Sequence, residues 1–147
     1  MLFRSQTYGC ALYRKSSLNL TGAGLDVSFG SMEWDVGGYW APSPTPGRAV
    51  VPAGLQGYHV LRFAATFTAG DSDTYRWLLL RVNGVTIVNF RIVAPTTTSQ
   101  SVEVARTVYL NGGDAVSCQV NNGGSSAPQF TGCDSFPGAN RFEVIRL

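Results

Sequence analysis

One local signal leaves this chain little choice: Asn83-Gly84, set between two runs of β-formers, Trp77–Val82 and Val85–Val93. Asn and Gly both tolerate positive φ at the central positions of a type I′ turn, and the twist of that turn matches a pair of antiparallel strands. The spacing predicts a hairpin. On its second strand Val85, Ile87, Asn89, Arg91 and Val93 fall on one face, and Thr86, Val88, Phe90 and Ile92 on the other. Both faces are partly apolar, which points to a core strand or to one covered by another subunit.

The rest of the chain agrees with a β-fold. No window of about 12 residues keeps apolar positions at i, i+3, i+4 and i+7 uninterrupted by glycine, proline or β-branched clusters. Strand patterns recur at 10–14, 25–29, 58–67, 75–82, 85–93, 102–110, 114–120 and 141–147, separated by turn clusters such as Asn111-Gly112-Gly113-Asp114. This predicts an all-β antiparallel sandwich or barrel. Pro42, Pro44 and Pro46 exclude a central strand between Gly37 and Pro52, and 121–140 reads as a long loop. The final run, Arg141 to Leu147, predicts a strand held inside a sheet.

Composition narrows the function. With 147 residues the chain has the size of one domain. Charged residues make up 14%, well under the roughly 25% of ordinary domains, which argues against a disordered or coiled-coil chain. A net charge of +2 is too balanced for a nucleic-acid binder that works by phosphate neutralisation. No apolar run approaches the roughly 20 residues that span a bilayer, so no membrane partner is expected. The first residues lack the apolar stretch of a secretory signal. Cys10, Cys118 and Cys133 are odd in number; the reading is buried thiols in a reducing compartment, with a Cys118–Cys133 bridge left open. Basic residues are arginine, except for Lys15, and there are 17 aromatics, a composition suited to large protein contacts.

Chemistry is poorly represented. His59 is the one histidine, and alternation places it with Leu61, Phe63 and Ala65. One histidine supports neither a histidine-rich metal site nor a serine or cysteine triad. Glu33 and Asp35 flank Trp34 and read as a solvated turn; Asp71 and Asp73 resemble half a calcium loop without its remaining ligands. No cofactor, metal or catalytic residue is expected. Trp34, Tyr39 and Trp40, beside the proline-rich stretch, are expected to pack the sandwich end or the subunit seam, with sugar stacking on a ligand loop as the alternative.

The order Trp34-Asp35-Val36-Gly37-Gly38-Tyr39-Trp40, then Ala49-Val50-Val51-Pro52, then Gly57-Tyr58-His59-Val60 with Phe63 and Phe67, then Leu80-Arg81-Val82-Asn83-Gly84, then Phe142 to Leu147, carries a resemblance. It resembles the globular head of the complement first-component recognition protein, in the tumour necrosis factor-like superfamily, and more so the short bacteriophage versions of that domain. The resemblance spans roughly residues 10–147. It implies a jelly roll of about ten strands, a homotrimer and no enzymatic activity. It implies a virion protein made in the bacterial cytoplasm: a capsid decoration protein whose partner is the major capsid protein, or else a fibre knob for a host receptor or glycan. On that reading residues 1–9 form a docking arm through Met1, Leu2, Phe3, Arg4 and Tyr8. The trimer seam is expected among Phe63, Phe67, Tyr75, Trp77, Phe90, Tyr109, Phe142 and Ile145, and alternation leaves open which of them face the axis and which fill the monomer core.

Overall fold

The computed structural model describes residues 7–16, 18–19, 24–40, 47–67, 75–93, 99–123, 129–130 and 140–147. Its strands are β1 (Gly9–Tyr13), β2 (Leu18–Asn19), β3 (Leu25–Asp26), β4 (Ser31–Val36), β5 (Arg48–Val50), β6 (Gly57–Phe67), β7 (Tyr75–Val82), β8 (Val85–Val93), β9 (Gln100–Leu110), β10 (Ala115–Asn122), β11 (Gln129–Phe130) and β12 (Arg141–Arg146). They form two antiparallel sheets. One has seven strands in the order β2-β11-β6-β12-β1-β4, with β9 on the other edge of β6. The second has five, β3-β10-β7-β8, with β5 also paired to β10. This is the expected antiparallel jelly-roll sandwich.

The β6 sequence shows why the sheets pack. His59, Leu61, Phe63, Ala65 and Phe67 are buried, while Tyr58 and Arg62 are exposed, so strict alternation gives the strand one core face. From the facing sheet come Leu78, Leu80, Val116, Cys118 and Val120. Phe29, on the connection between β3 and β4, is stacked on Phe142 at 5.6 Å and edge-on to Phe63 at 6.2 Å. Arg76 is the exception on the core face: it is fully buried, its guanidinium lies 5.2 Å from the Phe67 ring centre, and none of its nitrogens has a hydrogen-bond partner.

The hairpin forms at Asn83-Gly84, with φ of +50° and +81° as a type I′ turn requires. The terminal strand β12 lies between β1 and β6. Other expectations are corrected. β8 is not a core strand; among the described residues it is the edge of the five-stranded sheet and mostly exposed, which leaves cover by another subunit as the standing alternative. Ser31–Val36 and Arg48–Val50, outside the predicted strands, both pair in sheets. A β-bulge in β4, where Ala11 pairs with Trp34 but Leu12 with Met32, leaves Glu33 as an extra residue and breaks the alternation that sequence reading relies on. Tyr8 packs against the core and its carbonyl accepts from the Arg146 N–H at 2.9 Å, and β1 starts at Gly9, so these two belong to the domain rather than to an arm. Met1, Leu2, Phe3, Arg4, the three prolines, Asp71, Asp73 and Cys133 lie outside the described residues.

Candidate functional site

The buried pair His59 and Tyr39 is hydrogen-bonded within the core rather than poised for chemistry. His59 Nδ1 lies 2.9 Å from the Gly57 carbonyl and Nε2 lies 3.0 Å from the Tyr39 hydroxyl. A carbonyl only accepts, so Nδ1 carries the proton and Nε2 accepts from Tyr39. Burial, together with the Arg146 charge, pushes the imidazole pKa down and keeps it neutral, against the opposing pull of the Gly57 carbonyl. Burial likewise raises the Tyr39 hydroxyl. Asp35 organises the turn that delivers Tyr39: one carboxylate oxygen accepts from the Gly38 and Tyr39 amides, at 3.1 and 2.9 Å, and the other from the Trp40 amide at 3.0 Å. Cys10 and Cys118 are buried free thiols; burial pushes Cys10 up to about 12 and Cys118 well above its usual value, so neither is a nucleophile. Among the described residues no three His, Cys, Asp or Glu side chains gather as a metal site would require.

The surface is more informative. On the outer face of the seven-stranded sheet, register aligns residues in rows across β12, β6 and β9. Ile145, Val60 and Thr107 form one row, Glu143, Arg62 and Ala105 the next, and Arg141, Ala64 and Glu103 the third. Above them Tyr58 pairs with Tyr109, the two rings edge-on at 5.4 Å, and the Leu147 amide donates to the Tyr58 carbonyl. Tyr58, Tyr109 and Leu147 are 61%, 52% and 72% exposed, an apolar cluster on open sheet. The lower rows are charged. Arg62 joins Glu103 at 2.8 Å and Glu143 at 3.2 Å, while Arg141 joins Glu143 at 2.8 Å and Glu33 at 3.0 Å. The alanines between these long side chains leave a depression of about 290 Å³ lined by Arg62, Ala64, Glu103, Arg141 and Glu143.

A second open region is the edge formed by β8, where Val85, Phe90 and Val93 are 66%, 42% and 62% exposed. Its backbone has no strand partner beyond β7 among the described residues, which leaves it free to meet another chain.

These placements redistribute the sequence-derived candidates. Phe63, Phe67 and Phe142 have no exposed surface; they fill the monomer core and have none to offer a second subunit, the outcome of inward alternation on β6 and β12. Ile145 lies on the outer face, Tyr109 and Phe90 are exposed, and Tyr75 and Trp77 lie on the outer face of the other sheet. Tyr39 is fully buried and Trp40 half-buried against the core, so neither offers a ring face for a sugar; Trp34 is half-buried on β4. Sequence reading missed Tyr58, Leu147 and the Arg62–Glu143–Arg141 chain. Their signal is the outward register of β6 against β12.

No family model matches the sequence, and no curated protein matches it either. Solved structures match its fold. Murine APRIL at pH 5.0 superposes with a TM-score of 0.69 at 14% identity, covering 97% of this chain and all of that one. The structure at pH 8.5 gives 0.66 over the same shares. Eiger TNF from S. frugiperda gives 0.61 at 14% identity, over 96% of this chain and 92% of that one. At such identity the likeness is one of fold: a tumour necrosis factor-like jelly roll.

Proposed function

We propose that this protein is a non-enzymatic structural domain that works as a homotrimer. The observation that carries the reading is the pair of dissimilar open surfaces: the Tyr58–Tyr109–Leu147 cluster on a sheet face and the Phe90 edge of β8. Two dissimilar patches on one subunit suit a head-to-tail contact, which closes as a ring when the rotation allows. Burying such aromatics contributes up to roughly 1.5–3 kcal/mol each, which works against the ordering cost of assembly.

The finer reading is a capsid decoration protein of a bacteriophage virion, with the major capsid protein as its partner and residues upstream of Thr7 as the docking arm. Three copies of one arm give three simultaneous contacts, and binding only the mature lattice stabilises that lattice by mass action. Supporting this reading are the sequence resemblance and the two open surfaces available for protein contact. The ligand-loop alternative at Trp34, Tyr39 and Trp40 is less favoured, because Tyr39 is occupied in the core.

Light scattering across a dilution series tests the assembly: a mass three times the 15.8 kDa chain is expected, and a monomer at all dilutions overturns it. Deleting residues 1–6 should then abolish binding to expanded capsids and leave the trimer intact. Retained binding would refute the docking arm.

A further inference from the structure

The outer face of the five-stranded sheet holds an arrangement separate from the tyrosine cluster of the other sheet. Register places Asn121 of β10, Trp77 of β7 and Arg91 of β8 side by side in one row. Tyr75 stands two residues along β7, on the same face, because Arg76 and Leu78 point into the core. Its ring centre lies 6.0 Å from that of Trp77. The Arg91 guanidinium lies 4.1 Å above the Tyr75 ring.

Three features set this row apart from scattered surface residues. Trp77 is seated: a Cβ at Gly123 would fall 2.8 Å from the far edge of the indole, so the ring lies directly against bare backbone and is held in place. Arg91 is exposed and forms no ion pair among the described residues, whereas Arg62, Arg81 and Arg141 each hold a carboxylate. Contact with the Tyr75 ring holds the guanidinium over an aromatic face. Next to Trp77, the Asn121 Oδ1 is shielded from solvent and has no hydrogen-bond partner among the described residues, an acceptor that lacks a donor.

We propose that Tyr75, Trp77, Arg91 and Asn121 form a binding site for a carboxylated sugar. An aromatic face takes the C–H face of a pyranose, a fixed guanidinium takes a carboxylate through two parallel bonds, and an orphan amide oxygen takes a hydroxyl donor. No one of these features selects such a ligand; the row supplies all three within one sheet. Nearby charge agrees, since Arg48 and Arg81 flank Ser117 on the same face and Asp26 is the acid beside them. Tyr75, Trp77, Arg91 and Asn121 all belong to one subunit.

The test is a calorimetric and saturation-transfer NMR titration of the full chain with sialyllactose and with a glucuronyl disaccharide, each against its neutral counterpart. At least one acidic probe should bind, about tenfold more tightly than its neutral partner, a difference of the size a charged hydrogen-bond pair supplies. Arg91→Gln should remove that preference and leave the thermal midpoint unchanged, because the side chain is exposed. Asn121→Ala should weaken both probes. If acidic and neutral probes bind equally, if neither acidic probe binds, or if a poly-glutamate peptide binds while the sugars do not, the proposal is overturned.

Discussion

Adjacent residues on β6 lead opposite lives. His59 points inward, meets Tyr39 and Gly57, and is wholly buried. Tyr58 points outward, meets Tyr109, and is mostly exposed. The same alternation runs the length of the strand, with Leu61, Phe63, Ala65 and Phe67 against Val60, Arg62, Ala64 and Thr66. Both faces carry aromatics, so composition alone does not tell them apart. The inner face is spent on the monomer; the outer face is left for something outside it. That division can be broken from either side.

The largest effect is expected inside. Phe63→Ala opens a void between β6 and Phe29, and large-to-small changes at such sites cost about 3–5 kcal/mol. Chemical denaturation of the variant should show a collapsed midpoint or no folded baseline. A loss under about 1 kcal/mol would mean that Phe63 is not in a packed core.

Next comes the outer face. Tyr58→Ser with Tyr109→Ser should leave the stability of the dilute monomer nearly unchanged, since both rings are exposed. Light scattering should find the mass reduced from three chains to one. If the double variant keeps the parent mass, the tyrosine pair lies outside the subunit contact. Glu143→Gln probes the charged half of the same face. It removes the charge that links Arg62 to Arg141 and leaves two guanidinium groups adjacent, so the assembly should loosen and the loss should be most evident at low salt.

The sequence made one of these faces readable and not the other. Alternation on β6, the Asn83-Gly84 turn and the terminal strand are local signals, and the structure contains all three. What escaped depends on contacts between distant strands. Phe63, Phe67 and Phe142 looked like seam residues because a buried aromatic and an interface aromatic share the same alternation; only the position of the second sheet tells them apart. β4 escaped because the bulge at Glu33 shifts its register by one residue. Tyr39 looked like a loop aromatic because its hydrogen-bond partner lies 20 residues further along the chain. The ion-pair chain needs four strands, β4, β12, β6 and β9, in one order, which no local pattern encodes.

A smaller change refines the inner half of the comparison. Tyr39→Phe keeps the ring and removes the donor, leaving His59 Nε2 as a buried acceptor without a partner. Such a loss costs about 1–3 kcal/mol, less than the Phe63 void. Denaturation should show a lowered midpoint with an unchanged slope. A neutral outcome would mean that water reaches the imidazole.

The finest distinction is one of pH. Burial holds the folded pKa of His59 below its ordinary 6.5, so the unfolded chain binds the proton more readily than the folded one. The contribution of His59 is therefore fully present above pH 6.5 and is lost as pH falls below that value toward the depressed folded pKa. Thermal midpoints at pH 7.5 and 5.5 should diverge for the parent chain. In His59→Gln, which retains a polar side chain in the pocket without a titrating ring, the two midpoints should draw together. If that variant keeps the full pH dependence, the proton is taken up elsewhere and the inner face of β6 is electrostatically silent.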